Sequence, residues 1–282
     1  MNLYQLRYFY DSVRLNSTTE AAAVNFITQS AVSQAIRSLE TALGHVLVHH
    51  RKNAFELTDT GKVVFGECQA VFGAVENLKA NLSLHANSVT GRLSMAATNS
   101  IALTTLSGSL SQVAKAHPKL CIDLNLGNSD QIKERLRLRK SELGFILEDD
   151  EMEGFDSTLI KEGKFVFVSA PQFKPQKDQQ KIIITRQNKI EIKHLKKKLG
   201  EKVKFDMEVF SWELIRQLCK NGAGIGYVPD FVVQQDLKGK TLKLVLTEVK
   251  TWRYKLLAIR LKGRVDSKNA QTFLNSLKSG IQ

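Results

Sequence analysis

One polar-faced helix limits what this chain can fold into more than any other stretch. Residues 28–43 read TQSAVSQAIRSLETAL and begin with a threonine that can cap a helix. Apolar residues recur at the spacing of one buried helix face, namely Val32, Ala35, Ile36, Leu39 and Leu43. The opposite face is polar and nearly free of acids, with Ser30, Ser33, Gln34, Arg37 and Thr41. Such a face suits a DNA major groove, although an ordinary amphipathic surface helix would show the same pattern.

The residues around this helix favour the DNA-reading alternative. A first amphipathic helix is indicated by Leu3, Leu6, Phe9, Tyr10 and Val13. A short helix follows over residues 20–26, with a cap expected at Ser17 or Thr19. A small-residue helix, a tight turn and a capped polar-faced helix together indicate a helix-turn-helix. Residues 46–48 and 55–57 then flank a polar stretch, which predicts a small hairpin, or wing.

A long helix is expected from residue 58 to about residue 87, because apolar positions alternate there in steps of four and three. This seam consists of Val64, Cys68, Val71, Val75, Leu78, Leu82 and His85. It could pack on its own chain, but a lone tethering helix has little to pack on. We therefore expect the helix to pair with its copy in a homodimer. Cys68 is interpreted as a small core residue of this seam rather than as a redox sensor.

After a hinge at residues 88–91, strands and helices alternate with short connections, which predicts a mainly parallel sheet. The first lobe is expected to contain strands at 92–97, 120–126 and 143–147 and helices at 101–116 and 129–139. The second begins near residue 165, with strands at 181–185, 204–210 and 225–228 and a helix at 211–220. A further strand at 256–261 and a closing helix at 267–277 are expected after them.

Several motifs together resemble the LysR-type transcriptional regulators. In the N-terminal part these are LRYF (6–9), STTEAA (17–22), TQSAVSQAIRSLE (28–40), Leu43-Gly44, Arg51 and LTDTG (57–61). Further along they are GRLSMA (91–96), AKAHPKLCIDLNLG (114–127) and GAGIGYVP (222–229). The chain departs from the family at Gln34, where a basic residue is common, and in a wing with few basic residues. These departures leave the operator sequence open.

The resemblance implies an α/β effector domain with two lobes, similar to a periplasmic binding protein, behind an all-α winged helix-turn-helix. The expected domains are the winged helix-turn-helix at 1–62, a linker and dimerisation helix with hinge at 58–90, and the effector domain at 91–282. Within the effector domain, lobe I is expected at 91–161 and 266–282, and lobe II at 162–265. The implied function is sequence-specific transcriptional regulation, with promoter binding modulated by a small-molecule effector.

The DNA contacts are expected on the helix at residues 28–43, called the reading helix below, and on the wing. They are Thr28, Gln29, Ser30, Ser33, Gln34 and Arg37, with Arg51 and Lys52 from the wing. The expected partners are double-stranded promoter DNA, a second copy of the chain in a dimer or tetramer, and RNA polymerase. No cofactor is expected.

Effector contacts are expected where strands end and helices begin, since ligands of open α/β sheets bind beyond the carboxyl ends of strands. The predicted effector residues are Thr98, Asn99, Ser100, Ile101, Asn128, Ser129, Ile184, Thr185 and Arg186. Helix capping is the alternative role for the hydroxyl and amide residues in this set. The predicted effector is a small metabolite that carries a carboxylate.

Composition excludes several other classes. The net charge is +13, but residues 1–62 hold six Lys/Arg against five Asp/Glu, whereas residues 162–265 hold 23 against ten. The overall charge is therefore not an argument for DNA binding. No apolar run approaches the ~20 residues of a membrane span, and no secretion signal is recognisable, so a cytoplasmic protein is expected.

Catalysis has little support in the sequence. The three cysteines are far apart and show no metal-ligand spacing, and no hydrolase, nucleotide-binding or zinc-protease motif occurs. We therefore expect neither an enzyme nor a metal site. The remaining alternative is a nucleoid or regulatory DNA-binding protein without a ligand, controlled by its abundance. A two-lobed domain argues against that alternative, because packaging DNA requires no pocket.

Overall fold

The chain folds into two compact units, which comprise Met1–His85 and Ala86–Gln282. The computed structural model describes residues 1–51, 54–85, 89–174, 182–185, 195–196, 207–247 and 249–280. The division falls just before the predicted hinge at 88–91, of which residue 88 lies outside the described residues. In the part of the chain so described, no helix has the length and apolar character needed to cross a membrane.

The N-terminal unit is a three-helix head with a two-stranded wing and a long fourth helix. Its elements are α1 (Leu3–Leu15), α2 (Thr18–Val24), α3 (Gln29–Leu43), β1 (Val48–Arg51), β2 (Ala54–Leu57) and α4 (Asp59–His85). Ser17, one of the two predicted caps, caps α2 by accepting a hydrogen bond from the Glu20 amide. Thr28 caps α3, and Gly44 ends it with φ of 71°, a left-handed conformation that favours glycine.

The core of this unit includes the first half of α4 as well as the three-helix head. Tyr10 of α1 is 1 % exposed, and its ring centroid lies 5.4 Å from that of Phe65 and 5.2 Å from that of Phe72. Cys68 is 2 % exposed in the same cluster, and Val64 packs against it. The expectation that this helix has little to pack on is therefore wrong for its first half. Val64 and Cys68 contribute to their own chain's core.

The C-terminal unit is built on one continuous mixed sheet, which has nine strands among the described residues. Its strands are β3 (Gly91–Ala97), β4 (Leu120–Leu126), β5 (Leu143–Leu147), β6 (Phe155–Ser169), β7 (Ile182–Thr185), β8 (Met207–Val209), β9 (Ile225–Pro229), β10 (Lys243–Val245) and β11 (Arg253–Leu261). Its helices are α5 (Asn99–Ile101), α6 (Ser107–Ala116), α7 (Ser129–Arg137), α8 (Trp212–Lys220), α9 (Asp230–Lys238) and α10 (Lys268–Gly280). A π-helical turn, Ala102–Leu106, joins α5 to α6.

The two lobes are connected through the long strands β6 and β11. The sheet order is β4-β3-β5-β11-β6-β9-β7-β8, and β10 also pairs with β6. The first part of β6 pairs with β11, and its last part pairs with β9 and β10. The sequence pattern predicted only the second part of β6, and it missed α9. Because β6 continues from lobe I into lobe II and β11 pairs with both β5 and β6, the two lobes share one sheet.

A close backbone approach fixes where α4 begins. The Thr58 amide donates to the Leu47 carbonyl oxygen over 3.0 Å, and the Thr58 hydroxyl accepts from the Gly61 amide. A β-carbon added at Gly61 would lie 2.1 Å from the Leu47 carbonyl oxygen. Only glycine fits there without moving the backbone.

We expect Gly61→Ala to lower the free energy of unfolding by about 1–3 kcal/mol or more, because overpacking displaces backbone. Gly66→Ala is the matched control in the same helix, since a β-carbon there meets nothing within 4 Å. That control should be neutral or stabilising by up to about 1 kcal/mol. Urea unfolding of the full chain, followed by circular dichroism, measures both. Equal midpoints for Gly61→Ala and the wild type would contradict the close approach.

Candidate nucleic-acid interface and ligand cleft

The predicted reading face of α3 lies on the surface. Thr28, Gln29, Ser30, Gln34 and Arg37 are exposed, and Ser33 is half-buried. On the opposite side, Val32 and Leu39 are fully buried and Ile36 is 3 % exposed. The structure therefore brings the six predicted residues of the helix onto one polar surface. Arg37 is the only basic residue in positions 28–43, so any phosphate contact from a charged side chain of this helix falls to it.

The first turn of α3 is pre-organised by its own side chains. The Gln29 side-chain amide donates to the Ser33 hydroxyl over 2.9 Å and to the Thr18 hydroxyl over 3.1 Å. Because Thr18 begins α2, this pair of bonds connects the two helices of the helix-turn-helix. The Thr28 hydroxyl accepts from the Ala31 amide and also lies 3.0 Å from the Ser30 hydroxyl. Gln29 therefore positions the reading helix in addition to lying on its surface.

Two acidic residues that sequence reasoning did not single out hold the head together. The Glu40 carboxylate accepts from the backbone amides of Leu47, at 2.8 Å, and Val48, at 3.2 Å, and so attaches the wing to α3. Asp11, which is 4 % exposed, accepts from the Asn25 side-chain amide at the end of α2. No spacing signal identifies either role, because both bonds depend on how the helices pack.

The wing itself is a hairpin, as predicted. Its two strands pair antiparallel, with Val48 opposite Leu57 and Arg51 opposite Ala54. Arg51 ends β1, and the predicted contact Lys52 lies outside the described residues. The hydrogen bonds of Glu40 attach this hairpin to the reading helix. Contact of Arg51 and Lys52 with DNA stays a prediction.

In the C-terminal unit, the residues between β3 and α5 are mostly buried. Thr98 is 6 % exposed and Ser100 is 3 % exposed, whereas Asn99 is exposed. Capping was the alternative role for these residues, but the Thr98 side chain makes no capping hydrogen bond. Its hydroxyl has no hydrogen-bond partner within the described part of the chain. A buried hydroxyl without a partner costs free energy, so this position is suited to receive a ligand group.

At the second predicted helix start, Asn128-Ser129, a side-chain capping hydrogen bond is present. The Asn128 side chain accepts from the Gln131 amide at 2.9 Å, and the Gln131 side chain accepts from the Asn128 amide at 3.0 Å. This reciprocal capping box uses both side chains within the protein. Capping is therefore the observed role of Asn128, and Ser129 begins the helix that it caps.

The apolar members of the predicted effector set belong to the core. Ile101 and Ile184 are fully buried in the main hydrophobic cluster, so packing accounts for both. Thr185 ends β7 and is also fully buried, and Arg186 lies outside the described residues. Contact between these two isoleucines and a ligand stays a prediction.

The two buried cysteines have no reactive environment. Burial raises the pKa of the Cys68 thiol to about 11 and that of Cys219 to about 12. Both therefore stay protonated near neutral pH, which agrees with the interpretation of Cys68 as a core residue. No group of three or more His, Cys, Asp or Glu residues that could hold a metal ion occurs among the residues with described positions.

Two family models together match nearly the whole chain. Residues 3–62 match the bacterial regulatory helix-turn-helix protein, lysR family, and residues 86–282 match the LysR substrate binding domain. The HTH-type transcriptional regulator CysL of Bacillus subtilis is 24% identical, with 98% of this chain and 97% of that protein covered.

Solved structures show the same fold. A full-length OxyR variant from Pseudomonas aeruginosa is 15% identical with a TM-score of 0.72, covering 100% of this chain and 94% of that chain. Full-length LysG from Corynebacterium glutamicum, solved with bound effector Arg, is 19% identical with a TM-score of 0.69, covering 99% and 97%.

We expect Glu40→Ala to detach the wing from α3, because it leaves two buried amides without their acceptor, at a cost of about 1–3 kcal/mol. Hydrogen exchange of peptides covering residues 44–57 should become faster. Glu67→Ala, at an exposed position of α4, is the control and should change stability by less than about 0.5 kcal/mol. Unchanged exchange in Glu40→Ala would show that the carboxylate does not hold the wing.

Proposed function

Because the chain belongs to the LysR family of transcriptional regulators, we propose that α3 reads promoter DNA from the major groove. The protein is a DNA-binding transcriptional regulator with a C-terminal effector-binding domain. The observation that carries the proposal for α3 is its exposed polar face, which is held by a buried apolar face and joined to α2 by Gln29.

Each predicted contact has a chemical role in this proposal. Gln34 offers the amide pair that can bond bidentately to an adenine edge, and Arg37 offers a guanidinium for guanine or phosphate. Ser30, Thr28 and the wing residues Arg51 and Lys52 bind the phosphate backbone and set the register. Base preference therefore depends mainly on Gln34, and affinity on the whole set.

We propose that the protein forms a dimer through α4. By resemblance to the family, we propose a tetramer as the larger assembly. Support comes from apolar side chains on the exposed part of the predicted seam. Val71 is 39% exposed, Leu78 is 60% exposed and Leu82 is 64% exposed in the single chain. A second copy of the helix would cover them, and two reading heads would then face a pseudo-palindromic site.

We further propose that the effector is a small metabolite with a carboxylate, bound beside Thr98 between the lobes. A ligand that contacts both lobes favours one arrangement of them through its differential affinity. Such a change, passed through the predicted hinge at residues 88–91 to the dimer, would alter the spacing of the reading heads. We place the protein in the cytoplasm, with promoter DNA and RNA polymerase as its partners and no enzymatic role. A ligand-free regulator controlled by abundance would show the same footprint at every metabolite concentration.

Gln34→Ala should weaken binding to the cognate operator by about 1–3 kcal/mol and relax base preference at the contacted position. Gln235→Ala makes the same chemical change at an exposed position of α9 and should leave operator binding unchanged. Fluorescence anisotropy at fixed salt measures both variants on the operator and on single-base substitutions. The assignment of the reading face is wrong if Gln34→Ala preserves both affinity and base preference.

Replacing both Val71 and Leu78 by Lys should produce monomers, because the dimer would bury like charges in the seam. Both positions are exposed in the single chain, so the fold of each protomer should survive. Ala70→Lys adds the same charge at the neighbouring exposed position outside the seam and should leave the assembly intact. Light scattering gives the mass of each variant. An unchanged mass for the double variant would refute the α4 interface.

A further inference from the structure

Two buried polar atoms, one from each lobe, lack a hydrogen-bond partner among the described residues. They are the Thr98 hydroxyl oxygen and the Trp212 indole nitrogen, Nε1. Thr98 lies between β3 and α5 and is 6% exposed, and Trp212 begins α8 and is 3% exposed. Because α5 packs against α8, both residues lie where the two lobes meet.

The Trp212 side chain is held firmly in place. Ser211 caps α8 by accepting from the Leu214 amide, which fixes the backbone at the first residue of the helix. The indole ring makes edge contacts with Phe165, at 5.8 Å between centroids, and with Phe231, at 6.4 Å. These rings belong to β6 and α9, and the indole packed on them is only 3% exposed, so solvent does not satisfy its N–H group.

A buried indole normally finds a partner for its N–H group, and an unsatisfied donor costs about 1–3 kcal/mol. Phenylalanine would supply the same edge contacts without that cost, as the neighbouring Phe165 and Phe231 do. Packing alone therefore does not account for a tryptophan at position 212. An acceptor supplied from outside the chain does account for it.

The chemistry of the two atoms defines the acceptor. An indole N–H can only donate, and a threonine hydroxyl can donate or accept. A group with two acceptor oxygens close together can accept from both atoms at once, one oxygen for each donor. Carboxylate and sulfate groups have that property, whereas an ammonium or guanidinium group would leave the indole unsatisfied.

We propose that Trp212 is a specificity-determining residue of the effector cleft, and that its N–H group donates to one oxygen of an oxyanion whose second oxygen is bound by Thr98. This inference rests on the proposed role of the cleft as the effector site. Since the two donors come from different lobes, the oxyanion binds most tightly when the lobes are held together. Ligand recognition and the arrangement of the lobes are then the same event.

The test follows the indole proton directly. The chain has two tryptophans, so full-length protein with ¹⁵N-labelled indoles gives two side-chain resonances, assigned with Trp212→Phe and Trp252→Phe. Sodium acetate, sodium succinate and sodium sulfate are titrated, with sodium chloride at equal ionic strength as the control. We expect a saturable downfield shift of the Trp212 indole proton with an oxyanion, and little change at Trp252, which stacks on Phe165 at 5.0 Å.

Affinity measurements with the same oxyanion provide the second readout. Trp212→Phe keeps an aromatic ring and should weaken binding about tenfold or more, since it removes one hydrogen bond to a charged group. Its unfolding midpoint without ligand should be unchanged or higher, which a purely structural tryptophan would not show. Thr98→Val should also weaken binding, and Trp252→Phe should not.

Each outcome decides between the alternatives. If an oxyanion binds and the binding depends on Thr98, but the Trp212 resonance does not move, the role of Trp212 is refuted and the cleft remains the effector site. A bound water in place of a ligand group would give that same result. If none of the oxyanions binds, the oxyanion class is refuted, while metabolite-dependent footprinting still tests effector control separately. Should Trp212→Phe fail to fold, the wild-type titration, assigned by Trp252→Phe, still decides.

Discussion

The burial of one face of α3 is the constraint on which the N-terminal unit depends. Val32 and Leu39 are fully buried in the cluster that α3 forms with α1 and α2, and this fixes the rotation of the helix about its axis. Ser30, Gln34 and Arg37 are then exposed because they lie opposite, not because any bond holds them outward. The same packing lets Gln29 reach Thr18, and it places Glu40 beside the first strand of the wing. The orientation of the proposed DNA-reading face therefore depends on an apolar contact on the opposite side of the helix.

The start of α4 connects this head to the rest of the chain. Leu47 takes part twice, because its amide donates to Glu40 and its carbonyl accepts from Thr58. Gly61 permits the approach, and Tyr10 packs on the helix just beyond it. The first half of α4 is thus fixed to the head by its own chain. Only the later part presents exposed apolar side chains such as Leu78 and Leu82. In a dimer formed through that part, each head would be held rigidly by the first half of its own α4.

In the C-terminal unit, the sheet that the two lobes share holds the parts together. β6 and β11 pair antiparallel in it, and the aromatic rings of Trp252 and Tyr254 contact that of Phe165 at one end of this pairing. Trp212 joins this cluster from α8 with its N–H group unsatisfied by the described residues. Aromatic packing does not fix the orientation of a bound group, whereas a hydrogen-bond donor within the aromatic cluster does. That combination is what a selective site between two lobes requires.

The sequence by itself determined the helix-turn-helix, the wing and the βαβ order of the effector domain, because hydrophobic period and caps are local signals. It also determined the exposure of the α3 polar face, since a helix has a fixed rotation per residue. Only the tertiary structure decided that Val64 and Cys68 serve their own core and that Asn128 is satisfied by its capping box while Thr98 is not. It alone revealed the contacts of Glu40 and the surroundings of Trp212. Such contacts depend on which atoms meet across elements distant in sequence, and no periodicity encodes that.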